Sequence, residues 1–430
     1  MRKVYERLLA LLLVLTLAFS LFACNRIDGN ANGDQGDENN SQETGGKGEN
    51  EDGSQNTETE ESPDKNYENG VLPDVPPTIE CADTNGEIKN IILIIGDGMG
   101  EAQLDAGELI YGKEYAFRDE LNKFYSDTNS LNSTTKKPTE ITDSAASATA
   151  MATGYLTQNK YTGIDQSLKK LTTLLDVAAM EGKSTGVVTT DALTGATPAG
   201  FTAHTLNRNL EHDVIKSQIK SGVNLLVGQY DKLYANYEEK IKEEYNYFDR
   251  YDEEAILAKS GEDTLLHCEI ETESDVAVRL SELAMMAVEY LSQDSDGFVL
   301  VIEQAHIDKH CHNMKIAEAA AAVESLNETV EAILAFAKES GDTAVIVTAD
   351  HETRGLQVSS DSEEYSKTVE TEAGGTISYN FSATYHTDTL VPVYTWGFEA
   401  HPERCKTFED AEKIKNTEIF HFVVDLIENS

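Results

Sequence analysis

Residues Asn90–Gly100 read N-I-I-L-I-I-G-D-G-M-G, and this stretch decides the fold class. The continuous apolar run Asn90–Gly96, made mostly of β-branched residues, is typical of a strand that is buried on both faces of a parallel sheet. The glycines allow a tight turn after it, so Asp97 is expected to project from the carboxyl end of the strand. Open α/β sheets bind ligands at that edge. Taken alone, however, an acid here is better explained as part of a tight glycine turn.

Further apolar runs repeat this pattern along the chain. Strands are predicted at Ser184–Thr190, Gly222–Gly228, Gly297–Glu303, Thr343–Thr348 and Leu390–Thr395. Helical periodicity separates them at Leu171–Glu181, Ala277–Leu291 and Ile316–Ala337. The alternation predicts an α/β fold with a large, mostly parallel central sheet and helices on both faces.

Two segments do not fit this alternation. Thr194–His204 reads T-G-A-T-P-A-G-F-T-A-H, places Thr197 next to Pro198, and is predicted to be a loop. Gln229–Asp275 is acidic and rich in tyrosine, with helical patches. We predict that it leaves the sheet as a helical insert or lid, at residues 229–275.

Acids and histidines follow the predicted strand Gly297–Glu303, which itself ends in an acid. The next residues read A-H-I-D-K-H-C-H. Asp308 and His312 are four residues apart, so on a helix they share one face and can bind one metal ion. Core packing seldom accounts for so many histidines beside acids, and a metal role is the favoured interpretation.

The later strands add to this set. Asp350 and His351 follow the strand Thr343–Thr348 after Ala349, and His386 precedes the last predicted strand. Three predicted strands therefore lead into an acid at their carboxyl ends: Asp97, Glu303 and Asp350.

A hydroxyl group joins these ligands at residues 142–154, which read T-D-S-A-A-S-A-T-A-M-A-T-G. If a helix begins near Ser144, its free N–H groups and dipole favour an anion there, and phosphate is the usual one. The alternative is a helix of small residues that is capped by Asp143 or Ser144 and has no catalytic role.

The composition and the N-terminal residues limit the class of partner and the cellular location of the protein. The net charge of −43 argues against a nucleic-acid partner, which needs a basic face. Residues 1–23 combine early basic residues with an apolar run that is too short to span a bilayer, so a signal peptide is predicted. Leu21–Cys24 reads L-F-A-C and resembles a bacterial lipoprotein box, although Phe22 is larger than usual. Cys24 is therefore the predicted lipidation site, and a soluble secreted protein is the alternative.

Residues 24–82 are predicted to be a disordered acidic tether. Asn25–Val75 carries 14 acidic and three basic residues with little apolar content, so it cannot bury enough surface to fold. The catalytic domain is then predicted at 83–430. The sequence leaves open whether its cysteines form disulfides or stay as buried thiols; they are Cys81, Cys268, Cys311 and Cys405.

The motifs together resemble the alkaline phosphatase family, in its bacterial branch. They are G-D-G-M-G at 96–100, T-D-S-A-A-S-A-T-A at 142–150, A-T-P-A at 196–199, E-Q-A-H-I-D-K-H-C-H at 303–312 and T-A-D-H-E-T at 348–353. The resemblance covers most of residues 85–430. It implies a phosphomonoester hydrolase that acts on small phosphate monoesters outside the cell. Homodimers, which are common among relatives, are possible by analogy.

The resemblance also implies two zinc ions and one magnesium ion. The first zinc would be held by Asp308, His312 and His386. The second zinc would be held by Asp97, Asp350 and His351, with the Ser144 oxygen. The magnesium would be held by Asp97, Thr197 and Glu303. Nitrogen and carboxylate ligands suit zinc, and oxygen ligands suit magnesium.

By the same resemblance, Ser144 is the nucleophile that becomes a phosphoserine. Arg208, which matches the pattern A-H-x-x-x-R, would bind the phosphate oxygens through its planar fork, and Asp143 would orient it. Gly195 departs from the family, whose members usually carry Asp or His there, near the third metal. A weakly held third ion and a Lys309 that is free to contact phosphate are therefore expected.

Two other functions remain open at this point. One is a phosphodiesterase or sulfatase of the same superfamily, although a serine nucleophile with an arginine clamp suits a dianionic monoester better. The other is a non-catalytic lipoprotein that binds phosphate, against which the complete ligand set argues. The expected location is the outer face of the cytoplasmic membrane, through a lipid anchor only, or else a secreted or periplasmic one.

Replacing the predicted lipidated cysteine tests the anchor. Because Cys24 would carry the only lipid, Cys24→Ser is expected to release the exported protein into the medium. Fractionation of cells and medium measures this, with Cys81→Ser as a matched control that should stay with the membrane. Retention of the exported Cys24→Ser protein on membranes would contradict the prediction.

Overall fold

The computed structural model describes residues 88–270, 277–397 and 413–428. The predicted signal peptide, the lipidation site Cys24 and the acidic tether lie outside these ranges, as do Cys81 and Cys405. Cys268 and Cys311 are buried free thiols.

Seventeen strands lie within the described ranges. They are β1 (Asn90–Gly96), β2 (Asn122–Asp127), β3 (Ser130–Leu131), β4 (Pro138–Glu140), β5 (Ser184–Ala192), β6 (Leu225–Gln229), β7 (Asn246–Phe248), β8 (Thr264–Cys268), β9 (Phe298–Gln304), β10 (Thr343–Thr348), β11 (Glu352–Thr353), β12 (Leu356–Ser359), β13 (Lys367–Glu370), β14 (Thr376–Phe381), β15 (His386–Thr387), β16 (Val391–Trp396) and β17 (Ile414–Lys415).

Thirteen helices accompany these strands in the same ranges. They are α1 (Glu101–Tyr111), α2 (Phe117–Glu120), α3 (Ser144–Thr153), α4 (Leu174–Met180), α5 (Ala196–Thr202), α6 (Glu211–Gln218), α7 (Lys232–Ala235), α8 (Glu238–Glu244), α9 (Glu253–Leu257), α10 (Leu280–Leu291), α11 (His306–His312), α12 (Ile316–Ser340) and α13 (Thr417–Ile427).

Ten of the strands form one central sheet in the order β17-β2-β16-β10-β1-β9-β5-β6-β8-β7. The seven from β10 to β7 are mutually parallel, and within the described residues β16 alone runs against its neighbours. The predicted α/β class with a mostly parallel sheet is confirmed. The predicted strand Asn90–Gly96 lies near the centre of this sheet and is buried along its whole length.

The side chains of β1 explain why the sheet needs helices on both faces. Ile91, Leu93 and Ile95 belong to one hydrophobic cluster, which includes residues of α3, α4 and α13. Ile92 and Ile94 belong to a second cluster with residues of α10 and α12. Because successive residues of a strand face opposite sides, an unbroken apolar run requires an apolar partner on each side.

The segment predicted as a loop at Thr194–His204 contains the helix α5 instead, so this prediction is wrong. Pro198 is the third residue of α5. The first turn of a helix does not use its N–H groups for internal hydrogen bonds, so a proline there costs little. Pro198 therefore marks a helix start rather than a break.

The predicted insert at 229–275 also differs from expectation. It holds the short helices α7, α8 and α9, but β7 and β8 extend the main sheet as parallel strands next to β6. Residues Thr264–Cys268 are fully buried. The apolar T-L-L-H-C run buries its side chains by joining the sheet, so only part of the segment leaves it.

A small-residue contact joins the two helices nearest the candidate site. All ten residues of α3 are buried. A Cβ atom on Gly200 of α5 would lie 2.6 Å from the Cβ of Ala148 in α3. Only glycine at residue 200 lets the two helices approach this closely.

Adding one methyl group at this contact tests its role. Gly200→Ala is expected to destabilise the fold by about 1–3 kcal/mol, because a tightly packed contact cannot absorb the extra volume. Chemical denaturation measures the change. Gly375→Ala, where the new atom would meet only the Thr371 side chain at 3.3 Å, is the matched control and should change stability little. Equal stability of the two variants would contradict the prediction.

Candidate active site

The carboxyl edge of the central sheet gathers the predicted acids. Strands β10, β1, β9 and β5 are neighbours, and Ile95 pairs with both Thr348 and Glu303. Asp97 and Asp350 follow the ends of β1 and β10 by one or two residues. The register therefore places acids from three adjacent strands at one edge, as predicted.

Ser144 is the first residue of α3, and Asp143 caps this helix. The Asp143 Oδ1 atom accepts a hydrogen bond from Ala146 N at 2.9 Å, and its Oδ2 accepts one from Lys160 N at 2.9 Å. The Ser144 Oγ atom lies 3.2 Å from His351 Nε2. The serine hydroxyl thus sits at a helix N-terminus and also touches a predicted metal ligand.

Asp308, His312 and His386 form one compact group whose ligand atoms all lie within 4.8 Å of one another. The Nε2 atoms of His312 and His386 lie 3.2 and 3.5 Å from Asp308 Oδ1. His386 Nδ1 is 2.8 Å from the carbonyl oxygen of Thr142. A carbonyl only accepts, so Nδ1 carries the proton and Nε2 keeps a free lone pair for a metal.

Asp97, Asp350 and His351 form the second predicted set. His351 Nε2 lies 3.5 Å from Asp97 Oδ1 and 3.1 Å from Asp350 Oδ2. Asp308 also lies within 4.8 Å of Asp97 and His351, so it stands between the two groups. The pairing of β11 with β15, which joins Thr353 to His386, brings the two groups together.

Several oxygens in this region are buried without a hydrogen-bond partner. They include Asp97 Oδ1, Asp350 Oδ2 and Thr197 Oγ1. Leaving such groups unpaired is costly. The donor set of carboxylates, imidazoles and a hydroxyl is the set that zinc and magnesium prefer, so these residues fit the metals that the resemblance implies.

The charges in the site shift several pKa values. Burial, followed by repulsion from Asp350, raises the pKa of Asp97 well above its usual value. Burial raises the pKa of Asp350 to about 6. Burial also lowers the pKa of His351 strongly, so its imidazole is neutral and able to bind a metal. Asp308 differs, because its hydrogen bonds to His312 and His386 outweigh burial and lower its pKa.

Glu303 belongs to neither of these two groups, but it is close enough to help raise the pKa of Asp97, and it pairs with Thr189 of β5. It is buried, and burial together with the charge of Asp191 raises its pKa to about 7. The hydroxyl of Thr189 donates a short hydrogen bond to it. Thr197 is near enough to influence the same pKa. The structure thus brings the predicted oxygen ligands Glu303 and Thr197 together.

The basic residues are arranged around these acids. Arg208 Nη1 lies 3.9 Å from Asp143 Oδ2, and the guanidinium is close enough to lower the pKa of Asp97. Lys309 is not free, contrary to expectation, because its Nζ atom lies 2.5 Å from Asp191 Oδ1. A carboxylate that the sequence analysis did not consider holds this lysine.

Three contributing residues were missed from the sequence. Asp191 lies at the end of β5, so the rule of acids at strand ends could have found it. Thr353 donates a hydrogen bond to Asp308 Oδ1 and lies 3.3 Å from His351 Nδ1. Tyr385 is half exposed and stacks on His386 with ring centroids 4.0 Å apart. Thr353 and Tyr385 contribute through contacts between distant segments, which the sequence alone does not predict.

A sequence model of the family described as alkaline phosphatase matches residues 88–231 and 257–423. The chain belongs to the alkaline phosphatase family. The unmatched residues 232–256 lie inside the segment predicted as an insert, and they carry α7, α8, β7 and most of α9.

Individual relatives agree with this assignment. The chain is 30% identical to alkaline phosphatase 3 of Bacillus subtilis over 314 residues, which cover 68% of this chain and 67% of the relative. It is 30% identical to the alkaline phosphatase of Escherichia coli over 328 residues, which cover 61% and 70%. These relatives, with the family match, show that the protein is a phosphatase.

The fold agrees as well. The structure matches the alkaline phosphatase of the Antarctic bacterium TAB5 with a TM-score of 0.68 and 26% identity, over 80% of this chain and 100% of that chain. A variant of that protein has been solved with Mg bound in its M3 site. Alkaline phosphatases depend on metal ions, and the described residues hold two acid and histidine groups that could bind one.

Metal binding should stabilise the protein more as the pH rises. In the metal-free protein, Asp350 and Glu303 keep protons to about pH 6 and about pH 7, whereas the unfolded chain releases them at lower pH. The stability of the metal-free protein therefore falls as the pH rises toward these two pKa values, because the buried carboxylates must ionise without a partner. Bound cations offset that cost. The gap in Tm between loaded and chelated protein is expected to widen from about pH 5 to about pH 7.5.

Calorimetry of loaded and chelated protein across this range measures the gap. Glu303→Gln cannot ionise at residue 303, so its gap should widen less. A gap that stays constant with pH in the unsubstituted protein would contradict the prediction.

Proposed function

We propose that the protein hydrolyses small phosphate monoesters outside the cell through a phosphoserine formed on Ser144. The observation that carries this proposal is the position of Ser144 Oγ, at the start of α3 and 3.2 Å from His351 Nε2. A hydroxyl at a helix N-terminus, beside buried acids and the neutral imidazole of His351, is placed to attack an anion that the helix dipole attracts.

The proposed ligands divide between two zinc ions and one magnesium ion. Asp308, His312 and His386 would hold the first zinc. Asp97, Asp350 and His351, beside Ser144, would hold the second zinc. Glu303 and Thr197, with Asp97, would hold magnesium. When bound, these ions would lower the pKa of nearby oxygens and neutralise the charge that develops on the leaving group.

The residues of the chain then have separate tasks. The Ser144 oxygen attacks phosphorus in line with the departing alkoxide, and a water later attacks the phosphoserine from the vacated side. Arg208 would bind the non-bridging oxygens of the phosphoryl group with its planar fork. Asp143 both caps α3 and lies 3.9 Å from Arg208, so it would hold that side chain toward the site. Lys309, which is paired with Asp191, would keep its positive charge beside Glu303.

The setting of the reaction is part of the proposal. The signal-like residues 1–23 and Cys24 support export and a lipid anchor. Among the described residues, the helices are all too short or too polar to cross a bilayer. We propose an exported enzyme that is tethered only by lipid.

Removing the serine oxygen tests the mechanism. Ser144→Ala is expected to lower the rate on a chromogenic phosphate monoester by at least about a thousandfold, as loss of a nucleophile does elsewhere. It should also abolish covalent labelling by radioactive substrate after an acid quench. Ser360→Ala, which changes an exposed serine, is the matched control and should keep both properties.

The same assay distinguishes the proposed activity from the other candidate functions. A chelator should abolish the rate, and zinc with magnesium should restore it. Faster turnover of a phosphodiester or a sulfate ester than of the monoester would replace the proposed substrate class. Monoester hydrolysis or labelling that persists in Ser144→Ala would remove Ser144 as the nucleophile.

A further inference from the structure

We propose that Asp191 supplies the carboxylate that Gly195 lacks, and that it positions both the third cation and Lys309. The inference rests on the proposed function, because this cation belongs to the phosphatase centre. It reverses the expectation of a weakly held ion. Asp191 is a positioning residue here, since it would act on the cation through water ligands that magnesium usually keeps.

The first argument is one of space. Gly195 has φ −53° and ψ 158°, which any residue can adopt, so its torsion angles do not require glycine. A Cβ atom on Gly195 would, however, lie 2.8 Å from Asp191 Oδ2. The carboxylate of Asp191 therefore fills the volume that a side chain at residue 195 would enter. Asp191 can occupy this volume because residue 195 has no side chain.

The second argument concerns what holds the carboxylate. Asp191 Oδ1 accepts hydrogen bonds from Ala192 N at 2.8 Å and from Lys309 Nζ at 2.5 Å. The Asp191 amide donates to Thr189 Oγ1 at 2.9 Å, and that hydroxyl donates to Glu303. One threonine thus links Asp191 to Glu303, and the Ala192 N–H holds the Asp191 carboxylate in place to bind Lys309.

The third argument points to a ligand. Glu303 and Asp191 together carry two negative charges when ionised, and Lys309 offsets only one. The hydroxyl of Thr197, the second residue of α5, is buried beside Glu303 and makes no hydrogen bond of good geometry. A small divalent cation with oxygen ligands would satisfy the hydroxyl and balance the charge. Zinc would be less suited, because this group offers no nitrogen or sulfur ligand.

The experiment measures magnesium binding directly. Isothermal titration of MgCl₂ into the zinc-loaded full-length protein gives Kd for the parent, Asp191→Ala, Gly195→Ala and the double variant. Asp191→Ala is expected to weaken magnesium binding at least about tenfold, which is typical when an outer ligand of a metal is lost. Gly195→Ala should weaken it less, by displacing the Asp191 carboxylate.

The double variant isolates the interaction. Once Asp191 is gone, a methyl group at residue 195 has no carboxylate to displace, so the double variant should match Asp191→Ala within about twofold. A Cβ at residue 195 would also lie 2.9 Å from Ala192 O, and an effect that arises only there would multiply with the loss at Asp191. If the loss of magnesium affinity in the double variant equals the product of the two single losses, the inference is overturned.

Two further variants keep the test decisive. Asp191→Asn retains the bond from Ala192 N and removes only the charge, so it should also lose magnesium affinity even if the alanine variant folds poorly. Asp213→Asn removes an acid that pairs with Lys216 on the surface helix α6 and should bind magnesium like the parent. Unchanged affinity in Asp191→Asn, with chelator-sensitive phosphatase activity intact, would overturn the role of Asp191 alone. A parent protein that has no phosphatase activity with both metals would overturn the proposed function itself.

Discussion

Repulsion among carboxylates that are buried together is the constraint on which the rest of the structure depends. Asp97, Asp350 and Asp308 lie within reach of the same imidazole, and two of them have raised pKa values. Burying such charges without partners is expensive. The fold tolerates this arrangement because cations would convert the repulsion into binding energy, so the cost of assembling the site is also the source of its affinity for metal.

A site of this kind needs a rigid support. The central strands hold their acids in fixed register, since β1 pairs with both β9 and β10 through most of its length. The serine lies at the start of a wholly buried helix, α3, which packs against α5 across Gly200 and Ala148. Neither support can move far without breaking a well-packed contact. Backbone packing thus positions the hydroxyl and the acids at the strand ends, and contacts such as that between Ser144 and His351 add to it.

In the proposed role of Asp191, the residues around Glu303 would meet the same electrostatic requirement from a different backbone position. The chain carries glycine where a side chain near the third ion was expected, and an acid four residues earlier fills that volume. What the chemistry constrains is the location of a charge beside Lys309 and Glu303. That charge can come from residue 191 instead of residue 195, provided that residue 195 is small.

The sequence alone determined the fold class, the buried strands and most of the acids and histidines at their ends. These features are local, because an unbroken apolar run and the residue after it report burial and a strand end directly. Helix α5 was missed because a proline in a first turn resembles a loop, and β8 because its apolar run lies among tyrosines and acids. Only the tertiary structure decided that Asp308 stands between both histidine groups, and that Asp191 holds Lys309 in the space beside Gly195. Such contacts depend on register and on volumes shared by distant segments, which no stretch of sequence contains by itself.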